Sequence, residues 1–195
     1  MSETRELSLE PDPRCASREA GVFLAQLEDL HTKLADVLRG ASPEELGWQL
    51  HPGANTIAML TMHIAIAQVH LTDIGVRKVA KSDVAAVLGV DEMADGMPLP
   101  AGAAAPASLA GRTTPEMLDL LGKARRHASH FLAALAESEL GGRLDRQPPG
   151  GTPYTFNVRW MLHHLQEHLA GHLGQIQLLR ASYRQQHAAT ASSEP

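Results

Sequence analysis

His164, His168 and His172 recur every four residues in WMLHHLQEHLAGHLGQIQLL, and His63 lies in an apolar stretch about a hundred residues earlier. Side chains four apart on a helix stack on one face about 5–6 Å apart, so neighbouring imidazoles can each set a nitrogen about 2.1 Å from one ion. A third ligand must then come from another helix. On a wheel of about 100° per residue, His168 and His172 share a side with Met161, Leu165, Ile176 and Leu179, while Arg159 and Gln177 point the other way. His63 groups with Met59, Leu60, Ala67 and Ile74. All three histidines are thus expected to face the core. Buried imidazoles need a partner for each ring nitrogen, and one cation satisfies three at once. His63, His168 and His172 are the predicted metal ligands.

The other histidines read differently. His70 shares the inward face of His63, but seven residues along a helix is about 10.5 Å, too far to join the same ion, so it is expected to be structural or to line a pocket wall. His163 is predicted on the polar side. His164 falls at the edge of the inward face, where it and Glu167 flank the site. His31, His51, His127, His130 and His187 show no convergent partners in the sequence.

Composition narrows the chemistry. The formal charge of -5, from 17 basic and 22 acidic residues without a Lys/Arg cluster, argues against nucleic acid as a partner. Cys15 is the only cysteine, which excludes an internal disulfide and zinc sites of several thiolates. It stands in the polar, proline-flanked PDPRCASRE and reads as an ordinary near-terminal residue. The start MSETRELSLEPDP has no apolar h-region, and nowhere do 18 uncharged apolar residues run together, so the expectation is a soluble cytoplasmic protein without a membrane span.

Four long helices must position these residues. Ser17 can cap the first, with Val22, Phe23, Leu27, Leu30, Leu34, Val37 and Leu38 in helical phase before Gly40 stops it. Asn55 offers a cap for the second, about two dozen residues long. A long connection over residues 82–113 holds only DVAAVLGVDEMAD as a short helix, and its 94–112 stretch is expected to be mobile, a lid or a surface excursion. The third helix begins at Thr113 or Thr114, uses Pro115 early, and continues to about Ser138. GGRLDRQPPGGTPYTF is too rich in glycine and proline to predict regular structure, and the last helix is expected over about 157–186, followed by a disordered tail. The 195 residues fit one all-α domain, a four-helix bundle with an ordered core of about 17–186.

The run H-x-x-E-H-x-x-x-H-x-G-Q from His164 to Gln175, the M-L-T-M-H ending at His63 and the N-V-R-W that opens the last helix resemble the DinB/YfiT-like superfamily over roughly residues 17–184. That resemblance implies an up, down, down, up bundle, a divalent metal held by His63, His168 and His172, and frequent homodimers. Zinc is the first expectation and nickel the second. Characterised relatives include transferases and isomerases that use mycothiol, bacillithiol or glutathione, so the resemblance implies a metal-activated thiol attacking a small-molecule electrophile. A metal-dependent hydrolase, or a non-catalytic metal-binding stress-response protein in a family named for a DNA-damage-inducible member, are the alternatives. Leu173 stands where many members carry a basic or aromatic residue, which weakens the inference of an anionic substrate. Gly174 is expected to allow close helix approach or simply to pack, and Gln175 to orient a neighbour, line the pocket or pack.

Overall fold

The computed structural model describes residues 8–147 and 150–191. It is mostly helical, with one small sheet. Helix α1 spans Arg18–Leu38, and its Ser17 cap accepts a hydrogen bond from the Ala20 amide. A short α2, Pro43–Gly47, leads to α3, Ile57–Leu71, which passes into a π-helical turn, Thr72–Val76. The short α4, Val84–Leu88, precedes α5, Thr114–Ala133, and α6 runs over Val158–Ala191. Helix α1 packs on α5 and α6, and α3 packs on the same two helices. Leu24, Leu27, Leu34, Met59, Leu60, Met117, Leu165 and Ile176 belong to one contiguous core.

Several boundaries differ from the sequence expectation. Thr56, not Asn55, caps α3, because its hydroxyl is the group that reaches the Met59 amide. The regular helix also ends earlier than expected, at Leu71. In the π turn, Gly75 lets Met161 of α6 approach so closely that a Cβ would lie 2.2 Å from the Met161 Cγ. Helix α5 stops at Ala133, whose carbonyl accepts a hydrogen bond from the Ala16 amide, rather than continuing to Ser138. Its start follows expectation, with a Thr113–Glu116 capping box.

The stretch expected to be irregular contains an antiparallel hairpin, β1 (Arg143–Arg146) paired with β2 (Tyr154–Asn157). The glycines and prolines that suggested a loop belong to the connection. Leu144 lies opposite Phe156 in the register, and Phe156 is buried. The 94–112 segment is no loose excursion either. Leu109 is buried, the Gly53 amide donates to the Ala103 carbonyl at 2.8 Å, and the Gln49 side chain bonds both the Ala103 carbonyl and the Ala105 amide. At the C-terminal end, α6 continues past residue 186 to Ala191; residues 1–7 and 192–195, expected to be flexible, lie outside the described residues.

Ile57–Val76 has the length and hydropathy of a membrane span, but 72% of its most apolar window is buried inside the protein. It is a core helix, apolar on nearly every side. Two polar side chains are nevertheless trapped around it. Neither the Nε2 of His31 on α1 nor the Gln68 amide on α3 meets a partner of hydrogen-bonding geometry among the described residues. Burial therefore dominates and lowers the His31 pKa from 6.5 to about 4.

That shift fixes a pH dependence. Because the unfolded chain binds a proton at His31 that the folded chain refuses, the stability held above pH 6.5 is lost as pH falls through the window towards 4. The full loss is roughly 3 kcal/mol. Urea unfolding at pH 7 and pH 4.5 is expected to show most of it, and a His31→Leu variant is expected to flatten the difference. Equal slopes for the two proteins would contradict this assignment.

Candidate metal centre

Two helices bring the three predicted ligands together. The ligand atoms of His63 on α3 and of His168 and His172 on α6 all lie within 4.8 Å of one another. The Nε2 atoms of His63 and His168 face each other at 3.1 Å. The rings are inclined rather than stacked, with centroids 4.5 Å apart for His168 and His172 and 4.9 Å for His63 and His172.

The site is not in the bundle interior, as the wheel had suggested. All three histidines are half-buried. Helix α3 is so apolar that the wheel gives it no preferred direction, and its least buried positions are His63, Ala67, His70 and Leu71, a stripe along one seam. His70 consequently points to solvent instead of lining the core. The trio sits along the α3–α6 contact with the deep core beneath it, where an incoming molecule can reach it.

The ring orientations suit a cation. The His63 Nδ1–H donates to the Asp95 Oδ2 at 2.8 Å, which leaves Nε2 as the ring nitrogen directed at the other histidines. The His172 Nδ1–H likewise donates to the Gln175 Oε1 at 2.7 Å, freeing its Nε2. Burial, reinforced by His172, His63 and His164 nearby, lowers the His168 pKa to about 3. Burial also lowers that of His172, with Gln175 opposing it and His63 adding to it. His168 therefore offers an unprotonated nitrogen at neutral pH. Nitrogens that share a tetrahedral ion at about 2.1 Å are about 3.4 Å apart, so small ring rotations from these positions complete the set. The donors fit a divalent metal with one or more positions left over.

Asp95 is the participant the sequence reading missed. It comes from the connection between α4 and α5, is buried, and also accepts from the Met97 amide at 3.1 Å. Its position 32 residues from His63 carries no periodic signal. A carboxylate behind a ligating histidine fixes the tautomer and raises its basicity. Asp95→Ala is expected to weaken zinc binding by about 10- to 100-fold, measured by competition with a chelating dye, while the far-ultraviolet circular dichroism stays unchanged. Undiminished affinity would show that His63 needs no such support.

The neighbours divide clearly. Gln175 orients His172, whereas Gly174 has open space around it and no close helix approach to permit. Leu173 is buried in the core, so its position offers no basic group to the site. His164 stacks on Trp160, with centroids 4.9 Å apart and planes at 16°, and its Nδ1 lies 3.4 Å from the Oε2 of the largely exposed Glu167. His163 is exposed, as expected. His127 is bound 2.7 Å from Asp73, and burial of the lone Cys15 raises its thiol pKa, which makes it a poor nucleophile.

A family model described as the DinB superfamily matches residues 26–176, well over half of the chain, including the histidine trio and Asp95. No curated protein matches the chain.

Proposed function

The chain belongs to the DinB superfamily, and from that premise we propose that it is a metal-dependent enzyme which transfers a low-molecular-weight thiol to a small electrophile, or uses that thiol to isomerise it. The observation that carries this reading is the trio of mutually facing imidazoles on an accessible seam, two of them held in orientation by Asp95 and Gln175. His63, His168 and His172 would hold the ion, zinc first and nickel second. When bound, a divalent cation at such a site lowers the pKa of a coordinated thiol and so supplies a thiolate at neutral pH.

The chain's own residues do the positioning. Asp95 keeps the Nδ1 proton of His63 away from the ligand side, and Gln175 does the same for His172. His164, clamped between Trp160 and Glu167, forms the rim. In a transfer the sulfur forms a bond to the electrophilic carbon while the leaving group departs with its electron pair; an isomerisation ends with the thiol released again. Hydrolysis ranks behind, because Glu167 is largely exposed and Asp95 is committed to His63, so that neither is placed as a free base beside the trio.

The full reading includes a single domain folded as an up, down, down, up four-helix bundle, a cytoplasmic location and a homodimer. Light scattering tests the last, and a monomeric mass would refute it. The activity is tested by mixing zinc- or nickel-loaded protein with monobromobimane and, in turn, mycothiol, bacillithiol, glutathione, cysteine and coenzyme A. A metal-dependent conjugation rate with one of them is the expected result. Saturable metal binding without a rate for any thiol would favour the non-catalytic metal-binding role.

A further inference from the structure

A cleft of about 510 Å³ is lined by Arg143, Tyr154, Thr155, Phe156, Asn157 and Trp160. Its walls are aromatic. Tyr154 and Trp160 remain 46% and 44% exposed, unusual for large rings in a chain with so few aromatics, and Phe156 bridges them at ring separations of 5.9 and 5.7 Å. The aromatic row continues from Trp160 to His164 at 4.9 Å and from His164 to His168 at 6.1 Å. The cleft therefore connects to the histidine trio through consecutive ring contacts.

Two of its polar groups are committed. The Asn157 Oδ1 accepts from the Trp160 amide at 2.8 Å, and the Thr155 hydroxyl donates to Asp145. Arg143 is the one cation of the lining; it is exposed and makes no ion pair or side-chain hydrogen bond among the described residues. An uncommitted guanidinium at the edge of an aromatic cleft suits a flat apolar body that carries a carboxylate.

We propose that this cleft binds the body of the substrate, a planar aromatic carboxylate, with the anion on Arg143 and the ring against Trp160 and Tyr154. The inference rests on the thiol-transfer reading for the identity of the molecule as substrate, but the binding site can be tested without it. Trp160 precedes His168 by eight residues, about 12 Å along α6, so a productive substrate must extend past His164 to bring its electrophilic carbon to the trio.

The test uses 2-naphthoate and its neutral analogue 2-naphthamide, titrated calorimetrically into metal-free protein. Arg143→Gln is expected to weaken 2-naphthoate by about tenfold and leave 2-naphthamide unchanged, whereas Trp160→Leu weakens both by about tenfold or more. Saturable 2-naphthoate binding that both variants retain in full would overturn the proposal, as would the lack of binding by the unaltered protein up to about 5 mM. His168→Ala separates the two readings: it is expected to keep 2-naphthoate affinity while losing zinc. Zinc binding by the unaltered protein without 2-naphthoate binding would remove only the cleft, and the converse would remove only the metal centre.

Discussion

A His168→Ala variant purified without an affinity tag is expected to contain less than about one tenth of the divalent metal of the unaltered protein, with zinc affinity reduced roughly 10²- to 10⁴-fold. Three-histidine sites have no spare protein ligand, and a site free energy of about 10–16 kcal/mol divided among its donors leaves about 3–5 kcal/mol to each. The three rings contact one another pairwise, so removing His168 opens one side of the set. The same loss should appear in thermal unfolding. Zinc at about a thousand times its dissociation constant stabilises a binding-competent fold by about 4 kcal/mol, and that increment is expected to vanish in the variant. The metal-free form should be barely affected, because the half-buried ring contributes little core packing. Elemental analysis decides the matter: equal metal content in the two proteins would show that His168 is not a ligand.

The site was partly legible in the sequence for a definite reason. Two of its members are four residues apart on one helix, a spacing that sets both rings on one side whatever the rest of the fold does. His63 could be matched to them only because another helix had to supply a third nitrogen. Its orientation was misjudged. A wheel measures the contrast between apolar and polar faces, and α3 has buried residues at most positions from Ile57 to Val69, so little contrast exists to measure. The same uniformity made His70 look inward. Asp95 was illegible because it reaches His63 from a connection, where no periodicity relates sequence distance to spatial distance.

The helices themselves were legible wherever a cap and a periodic stripe coincided, as at Ser17 for α1 and Thr113 for α5. The hairpin was concealed by its own connection. Two strands of four residues each give too short an alternation to outweigh the flanking glycines and prolines, and their pairing depends on Leu144 meeting Phe156 across the turn. The docked 94–112 segment was hidden for a related reason. Its small residues carry little side-chain signal, and it is fixed by backbone groups such as the Ala103 carbonyl, which every residue type possesses.

Arg180 belongs to this second class, and replacing it is expected to produce the largest loss of stability of any substitution outside the deep core. It lies on α6, yet its guanidinium is buried and grips Glu45 of α2 with two bonds, 2.7 and 3.2 Å long. It also donates to the carbonyls of Val37 and Arg39, where α1 ends and its last carbonyls lack helical partners. One side chain thus ties three helices and closes one terminus. Arg180→Ala leaves a buried carboxylate and two carbonyls without their donor, a loss of about 3–5 kcal/mol, or roughly 6–20 °C in melting temperature for a chain of this size. Arg184, whose Nε lies 3.8 Å from the Glu45 Oε1, can move in and recover part of this, so Arg180→Ala/Arg184→Ala should be less stable still. Glu45→Ala alone is expected to be costly because it strands the buried cation, but Glu45→Ala combined with Arg180→Ala should fall well short of the sum, since neither charge then remains unpaired. Urea unfolding of these variants measures the coupling directly. Strict additivity would mean that the pair contributes nothing as a pair, and that the stability at this junction comes from the apolar contacts around it.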